Sequence, residues 1–161
     1  MSPLRTNQMQ VLAALEALYQ QEMPHPDSSL FQAACYHFQN PGKSFRAQLA
    51  LTSGIALGLN EQDNLYWAAA CELLHNASLI HDDISDASTH RRGQESIHQQ
   101  FGSDMALCLG DWMVAKAFEL SARNRNFGGR LTALLAQAMQ ETCSGQMADI
   151  SQRQCAELED W

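Results

Sequence analysis

Apolar residues recur at helical spacing along almost the whole chain, and no segment alternates with period two for long enough to mark a strand. The pattern predicts an all-α protein. Leu4 to Glu22 carries Leu12, Leu15, Leu18 and Tyr19 on one side and stops before Pro24 and Pro26, where a helix cannot continue. Asp27, Ser28 or Ser29 can cap a second helix that ends near Asn40, Pro41 and Gly42. A third helix is expected from about Ser44 to Leu57, closing at Gly58 and Asn60, and a long fourth from near Glu61 to about Ser85. Ala87 to Gly102 is polar and reads as part loop, part short helix. Two more helices follow, about Ser103 to Arg125 and about Arg130 to Ile150, parted by Asn126, Phe127 and the pair Gly128 and Gly129. No repeat or linker interrupts residues 1–161, which read as one domain.

The fourth helix is apolar nearly all round, with Trp67, Leu73, Leu74, Leu79 and Ile80, which marks it as central. One narrow face differs. With Cys71 at zero on a wheel of about 100° per residue, His75, Ser78, Asp82 and Asp86 all fall within about 60° of it. A polar stripe on a buried helix lines a cavity more often than it meets bulk water. The plain alternative is a solvated helix end formed by Asp82, Asp83 and Asp86. Acidic residues at a helix C-terminus oppose the macrodipole, however, so this cluster calls for another reason.

Composition narrows the chemistry. Hydrophobic residues make up 45% and charged residues 17%, an interior-rich balance that argues against disorder. The net charge of -8 removes the electrostatic footing for nucleic-acid binding, so an anionic ligand must bring a cation or find a local basic cluster. Asp82 and Asp86 can offer oxygens to one or two hard cations, and Mg2+ prefers one or two carboxylates, waters and phosphate oxygens. Arg91-Arg92-Gly93 follows closely and can grip phosphate oxygens with forked geometry, although a surface pair in a loop is the ordinary reading of two arginines alone. Upstream, Gly42-Lys43-Ser44-Phe45-Arg46 places Lys43 and Arg46 at a helix start, a second candidate anion site.

Other residues point to little further chemistry. Cys35, Cys71, Cys108, Cys143 and Cys155 have no CxxC spacing and read as reduced, mostly buried thiols of a cytoplasmic protein. The histidines show no zinc spacing, and Met105, Met113, Met139 and Met147 read as core filler. The N-terminus lacks the apolar core of a signal peptide, and the stretch Leu49 to Leu59 is too short for a membrane span.

Taken in order, Gly42-Lys43-x-x-Arg46, the run Leu74 to Asp86 with its three aspartates, Arg91-Arg92-Gly93, Phe101-Gly102, Leu109-Gly110-Asp111-Trp112, Ala117-Phe118-Glu119-Leu120 and Ser144-Gly145-Gln146-Met147-Ala148-Asp149 resemble the trans-isoprenyl diphosphate synthases, the polyprenyl synthetase family. The resemblance implies an antiparallel helical bundle of the isoprenoid synthase type, usually dimeric, of which this chain would be about the N-terminal half. It implies a Mg2+-dependent prenyltransferase that condenses isopentenyl diphosphate with an allylic diphosphate. Asp82 and Asp86 would coordinate Mg2+, with Asp83 supporting the cluster. Arg91 would hold the allylic diphosphate, and Lys43, Arg46, His75 and Arg92 would hold isopentenyl diphosphate.

In the family the residue five before the first aspartate helps to form the floor that stops the growing product. Here it is Ala77, followed by Ser78, and both are small, which favours geranylgeranyl or longer products over farnesyl. Gln146 and Asp149 are expected to face the cavity from the last helix. Two departures stand beside the match. The family has a second glycine before Gly42 and a basic residue in place of Ser44. Its second half carries a Lys-Thr pair, a second aspartate-rich motif and further lysines, none of which occurs here. Catalysis by these 161 residues alone is therefore not expected, and the open bundle should self-associate or bind a partner. A non-catalytic short subunit of a full-length synthase and a plain diphosphate binder are the competing readings.

Overall fold

In the computed structural model, the described residues are 3–40 and 42–159 for the backbone and 12–40 and 42–152 for the side chains. Within them lie helices α1 (Pro3–Glu22), α2 (Leu30–Phe38), α3 (Phe45–Ala56) and α4 (Glu61–Ser85), strands β1 (His90–Arg91) and β2 (Gln94–Glu95), and helices α5 (Ile97–Phe101), α6 (Ser103–Ala122) and α7 (Gly128–Glu159). The all-α expectation holds.

Helix α4 is the axis of the fold. Asn60 caps it by accepting hydrogen bonds from the Gln62 and Asp63 amides, and Glu61 and Asp63 suit the positive end of its dipole. Its most extensive partners are α6 and α3, with α1 and α5 packed around it. On α4, Ala69, Ala70, Leu73, Ala77 and Ile80 are at most 2% exposed; on α6, Ala106, Leu109, Met113, Ala117 and Leu120 form a matching fully buried row. Alanines at the contact let the two backbones approach closely, and the larger side chains fill the space between them.

Polar ties fix the remaining elements. Glu22, at the end of α1, reaches Lys116 at 3.2 Å and Arg123 on the flank of α6. Lys116 and Arg123 also share Glu119. The second helix begins after Ser28, whose Oγ accepts the Leu30 amide. Among the described residues, no helix is long and apolar enough to cross a membrane.

Three local features depart from the sequence pattern. The polar stretch after α4 includes a two-stranded antiparallel hairpin, with His90 opposite Glu95 and Arg91 opposite Gln94. Arg92 and Gly93 turn it, both with positive φ, as a tight hairpin of this hand requires. Strands of two residues are too short to show a period. Helix α7 starts at Gly128 instead of Arg130, because Asn124 Oδ1 accepts the Asn126 and Phe127 amides and sets the chain turning early. The thiols are less buried than expected, since Cys35 and Cys71 are half-buried and Cys108 and Cys143 are exposed, while the Cys155 side chain lies outside the described residues.

Candidate functional site

A cavity of about 500 Å³ lies between α4 and α7, with Arg46 of α3 and Val114 of α6 at its edges. From α4 it is lined by Cys71, His75, Ser78 and Asp82 of the expected stripe, with Leu74, His81 and Ser85 beside them, while Asp86 is not among the lining residues. From α7 it is lined by a row that includes Met139, Thr142, Cys143, Gln146, Met147 and Ile150. Arg46 and Asp82 bring charge to a lining that is otherwise largely apolar. Met139 and Met147 belong to this wall and not to the core, whereas Met113 is fully buried.

The structure does not place the three aspartates of the motif on one face of the helix. Asp82 lines the cavity, half-buried, and Asp86 is the exposed C-cap of α4 one turn on. Burial, and then the nearby Asp86, hold the Asp82 carboxyl above its usual pKa, with Arg91 pulling the other way. Asp83 points about 100° away around the helix and is 3% exposed. Its Oδ1 accepts from Arg91 Nε at 3.0 Å and Nη2 at 2.5 Å, a forked pair that fastens the hairpin to α4. Asp83 thus stands apart from the cavity, and Arg91 is already engaged.

Of the basic residues, Arg46, Arg92 and Arg91 lie close enough to His75 to act on its charge. Arg46 lines the cavity and forms no hydrogen bond or ion pair among the described residues; Lys43, three positions earlier, is exposed. Arg92 Nη1 donates to the Asn40 carbonyl at 3.0 Å and reaches Asn76 Oδ1 at 3.4 Å. His75 lies among them. Burial first, then the charges of Arg46, Arg92 and Arg91, push its imidazole down to about 4, so it is neutral at ordinary pH.

Ala77 and Asp149 lie elsewhere than expected. Ala77 is 1% exposed in the core facing away from the cavity, because it is a full helical step of about 100° from Ser78, which does line the cavity. Asp149 is exposed and off the cavity row that runs through Gln146 and Ile150.

Several buried polar residues were not singled out from the sequence. Glu72 is 3% exposed and accepts the Ala47 amide at 3.0 Å. Asn76, 2% exposed, shares a 2.9 Å hydrogen bond with His37 Nε2 through its Oδ1. Glu72, Asn76 and Asp83 fall within about 40° of one another on the helical wheel, a signal that was present in the spacing. His81 also lines the cavity, 3.5 Å from Asp111 of α6.

Among the described residues no three His, Cys, Asp or Glu side chains converge on a point that could hold a metal ion. A cation at Asp82 and Asp86 would draw on two carboxylates and take its other oxygens from water or ligand, a donor set that fits Mg2+. A carboxylate whose proton affinity is raised by a carboxylate neighbour attracts a divalent cation for the same electrostatic reason.

This arrangement coincides with a family match. The model for polyprenyl synthetases covers residues 27–160. The chain belongs to the polyprenyl synthetase family. Geranylgeranyl pyrophosphate synthase of Geoglobus acetivorans is 35% identical over 141 residues, covering 85% of this chain and 43% of that protein. A short chain isoprenyl diphosphate synthase of Methanocaldococcus jannaschii is 35% identical over 126 residues, covering 77% of this chain and 38% of that one. The solved structure of the Geoglobus acetivorans synthetase superposes with a TM-score of 0.80 and 31% identity, over 88% of this chain and 47% of its own. This polyprenyl synthetase chain spans less than half the length of these relatives.

Proposed function

We propose that this chain is the diphosphate-binding half of a trans-prenyltransferase that joins isopentenyl diphosphate to an allylic diphosphate. One observation carries the reading: Asp82, Arg46 and neutral His75 line one cavity whose walls are otherwise largely apolar. An isoprenoid diphosphate has the same division, a highly charged head on an apolar tail.

Asp82 and Asp86 would hold Mg2+, which supplies charge that makes the allylic diphosphate a better leaving group. Arg46, Lys43 and Arg92 would hold the second diphosphate electrostatically, and neutral His75 can donate a hydrogen bond without adding a charge. The allylic carbon–oxygen bond breaks with its electrons leaving on diphosphate. The isopentenyl double bond supplies the new carbon–carbon bond, and a proton leaves to restore an alkene. Leu74, Met139, Met147 and Ile150 would keep water from the electron-poor carbon. The geranylgeranyl synthase among the relatives supports a product of geranylgeranyl length or longer over farnesyl.

The apolar outer side of α3, with Phe45 68%, Leu49 58% and Ile55 55% exposed, favours a chain that functions only when covered, by self-association as a dimer or by a longer synthase. We infer a cytoplasmic location from the five cysteines, whose wide spacing without a CxxC pair does not fit a disulfide framework.

Calorimetric titration of this chain with inorganic diphosphate tests the reading. Binding in Mg2+ should weaken at least tenfold in EDTA, and Asp82→Ala should remove that difference while leaving a cooperative melt. Equal binding with and without Mg2+ overturns the metal bridge.

A further inference from the structure

The start of α3 is capped from a distance. Its first internal hydrogen bond runs from the Gln48 amide to the Ser44 carbonyl, so the amides of Phe45, Arg46 and Ala47 have no acceptor within the helix. Ser44 would ordinarily serve, but its φ of 44° lies in the left-handed region and its side chain makes no capping bond. A serine cap needs an extended backbone. The acceptor comes instead from Glu72 of α4, twenty-five positions along the chain.

Capping alone does not require a buried carboxylate, which is costly to desolvate. What distinguishes Glu72 is its surroundings. It sits at 3% exposure close enough to Arg92 to favour that guanidinium's charge, against the burial that disfavours it. Glu72 nevertheless forms no ion pair with an arginine among the described residues, so it offsets positive charge without occupying the guanidinium hydrogens. One turn later, Asn76 reaches Arg92 with Oδ1 while its Nδ2 donates to the Glu72 carbonyl at 2.7 Å.

We propose that Glu72 is a positioning residue, fixing the first turn of α3 and with it Arg46 at the cavity edge, and that Asn76 does the same for Arg92. The functional role of this alignment rests on the diphosphate reading above; the alignment itself does not. Glu72 touches no substrate. Its contribution is that the cations stand ready before a ligand arrives, so binding does not have to organise them.

The test has a ligand-free arm and a ligand arm. In the first, the His75 imidazole is titrated by NMR in the wild-type chain, Glu72→Ala, Glu72→Gln and Asn76→Ala. Because Arg46 and Arg92 depress that titration, moving either away should raise it by about half a unit or more, in Asn76→Ala relative to wild type and in Glu72→Ala relative to Glu72→Gln, which loses the same negative charge. Glu72→Gln keeps an oxygen for the Ala47 amide and should leave the titration in place or lower it, since losing a negative charge acts in the opposite sense. In the second arm, isopentenyl diphosphate should bind at least tenfold more weakly to Glu72→Ala and within about threefold of wild type to Glu72→Gln.

A His75 unmoved from those references in both alanine variants, or a Gln variant as impaired as Ala, overturns the positioning role. Should Glu72→Ala fail to fold, Asn76→Ala and Glu72→Gln decide the matter on the same readouts. A wild-type chain that binds no diphosphate overturns the functional reading, while the His75 titration still decides whether Glu72 and Asn76 place the arginines.

Discussion

The guanidinium of Arg92 rests on Gly42, so closely that a Cβ built at Gly42 would lie 2.8 Å from Arg92 Cζ. Gly42 also has a φ of 73°, a conformation that a residue with a Cβ resists. Gly42→Ala should therefore act twice. It should cost about 1–2 kcal/mol of stability from the backbone alone, and displace Arg92 from Asn40 and Asn76. Thermal denaturation and diphosphate titration should both register the change, and a variant that melts and binds as wild type would refute the contact.

His75 makes proton uptake a signature of ligand binding. Its imidazole is held near 4 by burial and three arginines, and a diphosphate placed among those arginines favours the protonated ring. Between about pH 4 and pH 6 binding should then take up protons at His75. Calorimetry in two buffers of different ionisation enthalpy measures the uptake, and His75→Gln should reduce it. The folded state has the mirror dependence: a lowered histidine contributes stability above its unfolded value of about 6.5, lost as the pH falls toward 4.

Ala77 and Ser78 separate a core position from a cavity position one residue apart. Ala77→Phe places a ring in a closely packed interior and should destabilise by about 1–3 kcal/mol or more. Ser78→Phe directs the same ring into the cavity and should change stability by less than about 1 kcal/mol. Equal melting temperatures for the two variants would contradict the placement.

The Glu22 bracket should show itself in acid. Hydrogen bonding to Arg123 and then Lys116 holds the Glu22 carboxyl below its usual pKa, and Glu119 is held down in the same way by Lys116 and Arg123. A lowered carboxylate contributes stability above its unfolded value of about 4.5 and loses that contribution as the pH falls through the folded value. Glu22→Gln should cost about 1 kcal/mol at neutral pH, and the gap between its melting curve and wild type should close as the pH falls through the lowered folded value.

Where local chemistry decides the structure, the sequence reads well. Helix α4 is legible to the residue because Asn60 caps it and its apolar positions never lapse. The cavity stripe from Cys71 to Asp82 follows from the helical repeat alone. The aspartate motif misleads when read as a string, since consecutive residues on a helix point about 100° apart. Asp83 therefore leaves Asp82 for Arg91, and Ala77 leaves Ser78 for the core. The capping of α3 by Glu72 was invisible for another reason: acceptor and amide are twenty-five positions apart, and no local pattern joins them.

The hairpin that carries Arg91 and Arg92 is held by parts of the chain made much earlier. Tyr36 Oη donates to the Glu95 carbonyl, Asn40 to Gln94, and Arg92 to Asn40, across separations of 59, 54 and 52 residues. Two-residue strands have little stability of their own, so those closures must follow the docking of α2 and α4. The basic rim is thus a late product of assembly, and the same dependence makes it an early point of local opening. Amides of residues 90–95 should exchange with solvent sooner than those of α4 beneath them, and whatever binds the arginines will slow that exchange without touching the core.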